Sequence, residues 1–358
     1  MNTKPIYRVP LMKEIEEIPW NGFNVVSTFS GTGGSCLGYR MAGYRVLWAN
    51  EFIPAAQDSY KANHPNSILD RRDIRLVQPE DILMATGLGV GEIDIFDGSP
   101  PCAAFSKAGK RDKGWGVVKK YSDTKQRVDD LFFEYTRLIK ETQPKVFVAE
   151  NVAGLVTGVA KGYFLEILRT LKACGYKVKC KVLDAQWLGV PQARQRTIFI
   201  GIRDDINLDI AYPIPCKKQY TVRDAISNLG VDNSLFYKLP KGKMLDVYMN
   251  TRVDEKGRFE DAHCRLYGKE SYFNFARACW DLPSRTILQS SQGICHPEIP
   301  RTFTISELKR ICAFPDDFVL TGSFAKQWER LGRAVPPVMM SHIAKTIQIE
   351  ILEKLCAG

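Results

Sequence analysis

Cys102 is the side chain in this sequence best suited to nucleophilic chemistry. It follows Pro100 and Pro101 at the end of the apolar run 93–96 (IDIF). Two successive prolines stop a strand and stiffen the turn, so the thiol is held out on a rigid turn and kept out of any helix. A lone cysteine is more often a small core residue. Its free pKa near 8.5 means that attack requires a cationic or dipolar neighbourhood. The stretch that follows is cationic: residues 107–127 carry eight Lys and Arg against Asp112 and Asp123, with Gly109, Gly114 and Gly116 as hinges. Glu150 ends a second apolar run, 145–149 (KVFVA), where a charge must be either paired or used. Ahead of the run 197–202 (TIFIGI), strict alternation predicts Gln192, Arg194 and Arg196 on one face. Two guanidiniums on one face suit planar anions or carbonyls. Phe29, Gly31, Gly33 and Gly34 form a glycine loop between a strand and a helix, which lets backbone approach a nucleoside without a Cβ clash. Glu51, 20 positions after Gly31, sits where a carboxylate accepts hydrogen bonds from ribose hydroxyls. The third glycine of a dinucleotide fingerprint is replaced by Cys36, which points away from nicotinamide and towards a generic adenosine site.

These residues need a frame that brings them to one edge. Short β-branched runs at 23–29, 44–48, 93–96, 145–149 and 197–202 predict strands, several apolar enough to be covered on both faces. Between them, 34–42, 54–63, 128–142 and 162–173 carry helical spacing. The alternation predicts an α/β domain with a doubly wound, mostly parallel sheet, and ligands at the carboxyl ends of such strands. After about residue 205 the alternation fades into irregular polar stretches with scattered aromatics, as in a second, smaller domain. Helical spacing returns at 305–313 and 337–355.

The chain has 358 residues, 45% of them hydrophobic, which excludes disorder as the main state. No run approaches the roughly 18 apolar residues of a membrane span, so the protein is expected to be soluble and cytoplasmic. The 10 cysteines include no CxxC pair, and most are expected to be reduced core thiols. A net charge of +10 favours a polyanionic partner, through exchange of condensed counterions for Lys and Arg.

The four constellations, in this order, resemble the DNA cytosine-5 methyltransferase family, of bacterial or phage type. Its marks are an F-x-G-x-G loop, a P-C nucleophile motif, an E-N-V motif and a Q-x-R-x-R motif. Arg310, Phe314 and Pro315 are similar to the family's R-x-x-x-F-P helix, and Gly332, Val335, Pro336 and Pro337 to its closing G-N-x-V-P-P. The resemblance implies a Rossmann-like catalytic and cofactor domain over 1–205, a small irregular target-recognition domain over 206–312, and a return to the catalytic domain over 313–358. It implies S-adenosylmethionine as methyl donor and double-stranded DNA as substrate. A cytosine would be flipped out, attacked at C6 by Cys102, held at its N3/N4 edge by Glu150 and at O2 by Arg196, with Arg194 steadying the pocket. The cofactor would be lined by Phe29, Ser30, Gly31, Gly33, Gly34, Glu51, Phe52, Asp73, Ile74, Asp97, Ser99, Pro100, Leu131 and Ala334. Ser106, Lys110, Arg111, Lys113 and Gln192 would contact DNA. A monomer is implied, with a restriction endonuclease as functional but not physical partner, and no metal. Ala103 stands where the family has Gln, and Arg333 where it has Asn, free either to pair with the methionine carboxylate or to face solvent. The runner-up readings are the tRNA-methylating branch, whose Cys-Phe-Thr element is absent here, and a catalytically silent DNA-binding homologue.

Overall fold

The apolar runs become the middle of a sheet. A computed structural model describes residues 4–101, 119–121, 124–126, 130–156, 161–230, 236, 238–239, 241–252, 257–271, 275–289 and 293–357. The elements of its first half are α1 (Met12–Glu16), β1 (Asn24–Thr28), α2 (Gly34–Met41), β2 (Arg45–Asn50), α3 (Pro54–Asn63), β3 (Ile68–Asp70), α4 (Pro79–Thr86) and β4 (Ile95–Gly98). A hairpin of β5 (Lys119–Tyr121) and β6 (Thr124–Gln126) follows, then α5 (Leu131–Thr142), β7 (Val146–Val152), α6 (Lys161–Ala173), β8 (Tyr176–Asp184) and β9 (Gln195–Arg203).

Seven strands form one sheet in the order β3-β2-β1-β4-β7-β9-β8. Pairing is parallel from β3 to β7, and β9 runs antiparallel to both neighbours. This is the doubly wound, mostly parallel sheet expected from the strand–helix alternation. Chain order reverses between β1 and β4, which places the switch point of the sheet at the carboxyl ends of those two strands. All of β7 from Val146 to Asn151 is buried, as a strand covered on both faces requires. In α5, Phe132, Tyr135, Leu138, Ile139 and Thr142 recur at helical spacing and are buried. Of these, Phe132, Tyr135, Leu138 and Ile139 pack with Phe96, Phe147, Tyr176 and Phe199 into the main core.

The chain divides into two compact units. The unit of Glu16–Asp184, Gln195–Ile214 and Met340–Gly358 carries the sheet. The other consists of Met1–Ile15, Ala185–Arg194 and Pro215–Met339. Its helices include α7 (Val222–Ile226), α8 (Lys243–Met249), α9 (Phe259–Tyr267), α10 (Ile305–Ile311) and α11 (Phe324–Arg333). A small core of Val247, Tyr248, Phe259, Ala262 and Cys295 gives the irregular region its own apolar interior. Helix α12 (Pro337–Ile347) follows α11. Among the described residues, no helix is long and apolar enough to cross a membrane. The nine described cysteines are free thiols, but only four are buried, so burial is less general than expected.

Candidate active site

The glycine loop joins β1 to α2 by a run of left-handed backbone. Phe29, Gly31 and Gly33 have φ of 53°, 57° and 91°. For the non-glycine Phe29 that conformation costs roughly 1–2 kcal/mol, and its ring packs on the main core in return. Ser30 N donates to Asn50 O at 3.0 Å and Gly33 N to Ser30 O at 2.9 Å, closing the turn. The two glycines serve different ends. A Cβ on Gly33 would lie 2.2 Å from His64 Nε2, so close packing against α3's end excludes a side chain. A Cβ on Gly31 would meet nothing within 4 Å, so this part of the loop offers bare backbone to open space.

Glu51, buried at the end of β2, holds that backbone. Its Oε2 accepts from Gly31 N at 2.7 Å and its Oε1 from Ile53 N at 2.6 Å. Phe52 beside it is half-buried, and it is absent from the main core. Asp73 accepts from Arg75 N at 3.0 Å and pairs with the Arg75 guanidinium at 2.9 Å, which in turn pairs with Asp130 at 2.7 Å. Ile74 and Leu131 have their side chains in the main core, so only their backbone remains to face a ligand. Ser30 and the first helical residue, Gly34, are buried in and beneath the loop.

At the end of β4, Asp97 is buried and accepts from the hydroxyls of Ser27, Ser35 and Tyr39. Burial pushes its carboxyl up to about 7, against the pull of those hydroxyls. Ser99 N reaches Thr28 O at 3.4 Å. The next residue, Pro100, has its carbonyl held by Asn151 Nδ2 at 3.1 Å. Asn151 entered the sequence reading only as part of the E-N-V motif, with no role of its own. Its signal was its place directly after Glu150 at a strand end, where a buried amide needs partners. Cys102, Ser106, Lys110, Arg111 and Lys113 lie outside the described residues; the turn leading to them is described as far as Pro101.

Antiparallel pairing brings the two predicted charges together. In the β7–β9 ladder Glu150 is opposite Ile198 and Val152 opposite Arg196. Glu150 Oε1 and Arg196 Nε form an ion pair at 2.6 Å, with side chains only 10% and 12% exposed. Burial pushes the Arg196 guanidinium below its usual value, and Glu150 opposes that shift. Arg196 Nη1 also donates to Gln195 O at 2.8 Å.

The alternation expected for Gln192, Arg194 and Arg196 does not hold, because β9 begins only at Gln195 and period-2 geometry cannot reach back through the loop. Gln192 is fully buried, accepting from Ile287 N at 3.1 Å and donating to Ile311 O at 3.4 Å. It is a peg within the smaller unit rather than a surface amide. Arg194, 1% exposed, donates to Ile287 O at 3.1 Å and Gly332 O at 2.9 Å, a clamp on two backbone segments. Ala334 is half-buried just after α11, and Arg333 Nε bonds Glu329 Oε1 at 2.9 Å, one turn away.

Comparison with known proteins identifies the family. Residues 23–349 match the family model for C-5 cytosine-specific DNA methylase. The chain is 34% identical over 337 residues to the Type II methyltransferase M1.HphI of Haemophilus parahaemolyticus, covering 90% of this chain and 86% of that protein. It is 32% identical to the Type II methyltransferase M.NgoFVII of Neisseria gonorrhoeae, covering 90% and 86%. The fold is shared with DNMT2 of Spodoptera frugiperda, with a TM-score of 0.64 at 18% identity over 90% of this chain and 99% of that one. Since the match runs from the strand that opens the sheet to the helix that closes the fold, the chain belongs to the C-5 cytosine-specific DNA methylase family.

Proposed function

We propose that the protein methylates C5 of a specific cytosine in duplex DNA, using S-adenosylmethionine as donor and a transient bond between Cys102 and C6 of the base. The observation that carries this reading is the buried Glu150–Arg196 pair. It sits at the carboxyl end of β7, where Asn151, the residue after Glu150, holds the Pro100 carbonyl in the turn leading to Cys102.

The cofactor's requirements fit the loop. A nucleoside with a ribose needs bare backbone to approach and a carboxylate nearby for its hydroxyls, and Gly31 and Glu51 provide both. In this reading Phe29, Ser30, Gly33 and Gly34 shape that face, Phe52 supplies a flat apolar surface, and Asp73, Ile74, Ser99, Pro100 and Leu131 complete the lining. S-adenosylmethionine, when bound, supplies an electrophilic methyl group.

The residues of the chain make cytosine ready to accept it. C5 is a poor nucleophile in the intact ring. Addition of the Cys102 thiolate to C6 forms an S–C6 bond and moves the π electrons onto C5 as an enamine carbon. After methylation a base removes the C5 proton, the electron pair restores the 5,6 double bond, and the thiolate leaves. Glu150 shares a proton with the N3/N4 edge and so offsets charge on the ring. Arg196 uses Nε to orient Glu150 and keeps Nη donors for O2 of the base. The base must leave the stack, at a cost of a few kcal/mol. The cations of 107–127 suit phosphate contacts that offset that cost. The smaller unit is the place for sequence readout, and the names of the relatives support a Type II modification role.

Transfer of tritiated methyl groups to duplex DNA and to tRNA, repeated with Cys102→Ser, tests the reading. Label in DNA that vanishes in the variant is expected. Label in tRNA alone overturns the substrate, and undiminished transfer by the variant overturns the nucleophile.

A further inference from the structure

Beneath the glycine loop lies a carboxyl that the chemistry above leaves unused. Asp97 is 1% exposed, and its oxygens accept from Ser27 Oγ on β1 at 2.9 Å. On α2, Ser35 Oγ lies 3.0 Å from each of its oxygens and Tyr39 Oη at 3.2 Å. Ser30 Oγ, inside the loop, donates to Ser27 Oγ at 3.0 Å. An ionised carboxylate can only accept, so every hydroxyl around it must spend its proton there. Ser27 therefore donates to Asp97, which leaves its oxygen to accept from Ser30 Oγ at 3.0 Å, nearer than the alternative acceptor Ser27 O at 3.2 Å.

We propose that Asp97 is a positioning residue for the cofactor: its ionised carboxylate, acting through Ser27 and Ser30, holds loop 29–33 in the conformation that receives S-adenosylmethionine, without touching that molecule. The inference rests on the cofactor assignment of the preceding section.

Protonation reverses the arrangement. A neutral carboxyl must itself donate to one of the three hydroxyls, and the one-way chain into the loop loses its end. The surroundings make that reversal accessible. The titratable groups facing Asp97 are Cys36 and Tyr39 on α2, Tyr135 on α5 and Glu150 on β7; among these described neighbours there is no cation. Burial, reinforced by Glu150, brings Asp97 to about 7, within the range where enzymes work. His64, packed under Gly33, is held down to about 3 by burial and so does not titrate there.

The sign separates this role from a general loss of structure. Because the folded-state value is raised, Asp97's contribution to global stability is fully present below the unfolded value and is lost as pH rises through about 7. Acidification from pH 8 to pH 6 therefore strengthens that contribution while it weakens the loop.

The test uses the full chain and S-adenosylhomocysteine as probe, with calorimetric affinity and amide exchange of peptides spanning 25–41 measured at pH 8 and pH 6. In the wild type, affinity is expected to fall about tenfold at pH 6, as for one group titrating near 7. Loop protection, corrected for intrinsic exchange chemistry, falls with it in the ligand-free protein, without a drop in Tm. Asp97→Asn binds weakly and equally at both pH values. Ser27→Ala, which spares the carboxyl, also loses the pH dependence, and kcat at saturation stays within twofold of wild type. Binding and loop exchange that are both indifferent to pH in the wild type would overturn the proposal and leave the cofactor assignment standing. No binding at either pH, with exchange still pH-sensitive, would overturn the assignment and support the coupling.

Discussion

The Glu150–Arg196 pair gives a prediction whose size follows from its geometry. At 2.6 Å, and with an effective dielectric of about 20, the attraction is about 6 kcal/mol before desolvation is subtracted. With both side chains nearly buried, solvent screens little of it, and desolvation cancels most of the net gain over an apolar pair. Removing one partner is another matter, since it strands a buried charge at about 3–5 kcal/mol. Glu150→Leu and Arg196→Met should each destabilise the sheet-bearing unit by about 3 kcal/mol or more. At roughly 2–4 °C per kcal/mol for a unit of 150–250 residues, Tm should fall by about 6–12 °C. The double variant places two apolar side chains of similar volume together and should recover most of that loss. With the double variant about 1 kcal/mol below wild type, the coupling from the cycle is then about 5 kcal/mol, read by urea unfolding of the four proteins at fixed pH and salt. All three variants should be inactive whatever their stability. Effects that add within about 0.5 kcal/mol would refute the pair as an energetic unit.

Two further outcomes follow from the loops. Gly33→Ala must bear a side chain at φ 91°, with its Cβ 2.2 Å from His64 Nε2. It should weaken S-adenosylhomocysteine binding at least tenfold by calorimetry while circular dichroism remains that of a folded protein, whereas unchanged affinity would remove this loop from the cofactor site. Replacing Lys110, Arg111 and Lys113 together by Ala should weaken DNA binding at low salt and flatten the slope of log K against log salt by up to about 0.9 for each phosphate no longer neutralised. An unaltered slope would mean that this stretch does not touch the backbone of DNA.

What was legible in the sequence was what is local. Apolar runs marked β1, β2, β4, β7 and β9, because strands covered on both faces can hold little else. Strand β8 escaped notice because it lies at the sheet's edge, where Lys177, Lys179 and Lys181 alternate outward and break the apolar run. The three-residue β3 is too short to show a period. Glu150 and Arg196 were recognisable as charges at strand ends, and antiparallel register explains why they meet. Gln192 and Arg194 were grouped with Arg196 on one face because their actual partners are remote: Arg194 reaches carbonyls 93 and 138 positions away. No periodicity argument spans such distances. The same holds for Asp97, whose three hydroxyls lie 58 to 70 positions upstream. Asn151 was hidden by its type, since an amide at a strand end gives no chemical hint of the carbonyl it will hold.

Covalent trapping examines the central claim, the bond between Cys102 and the base. Duplex DNA carrying 5-fluorocytosine at the target, incubated with the protein and S-adenosylmethionine, cannot lose its C5 substituent as a proton and so arrests the reaction after methyl transfer. A stable complex on denaturing gels, with peptide mapping that places the linkage on Cys102, is the result expected. A linkage through any other side chain, or active methylation with no trapped complex, would contradict it.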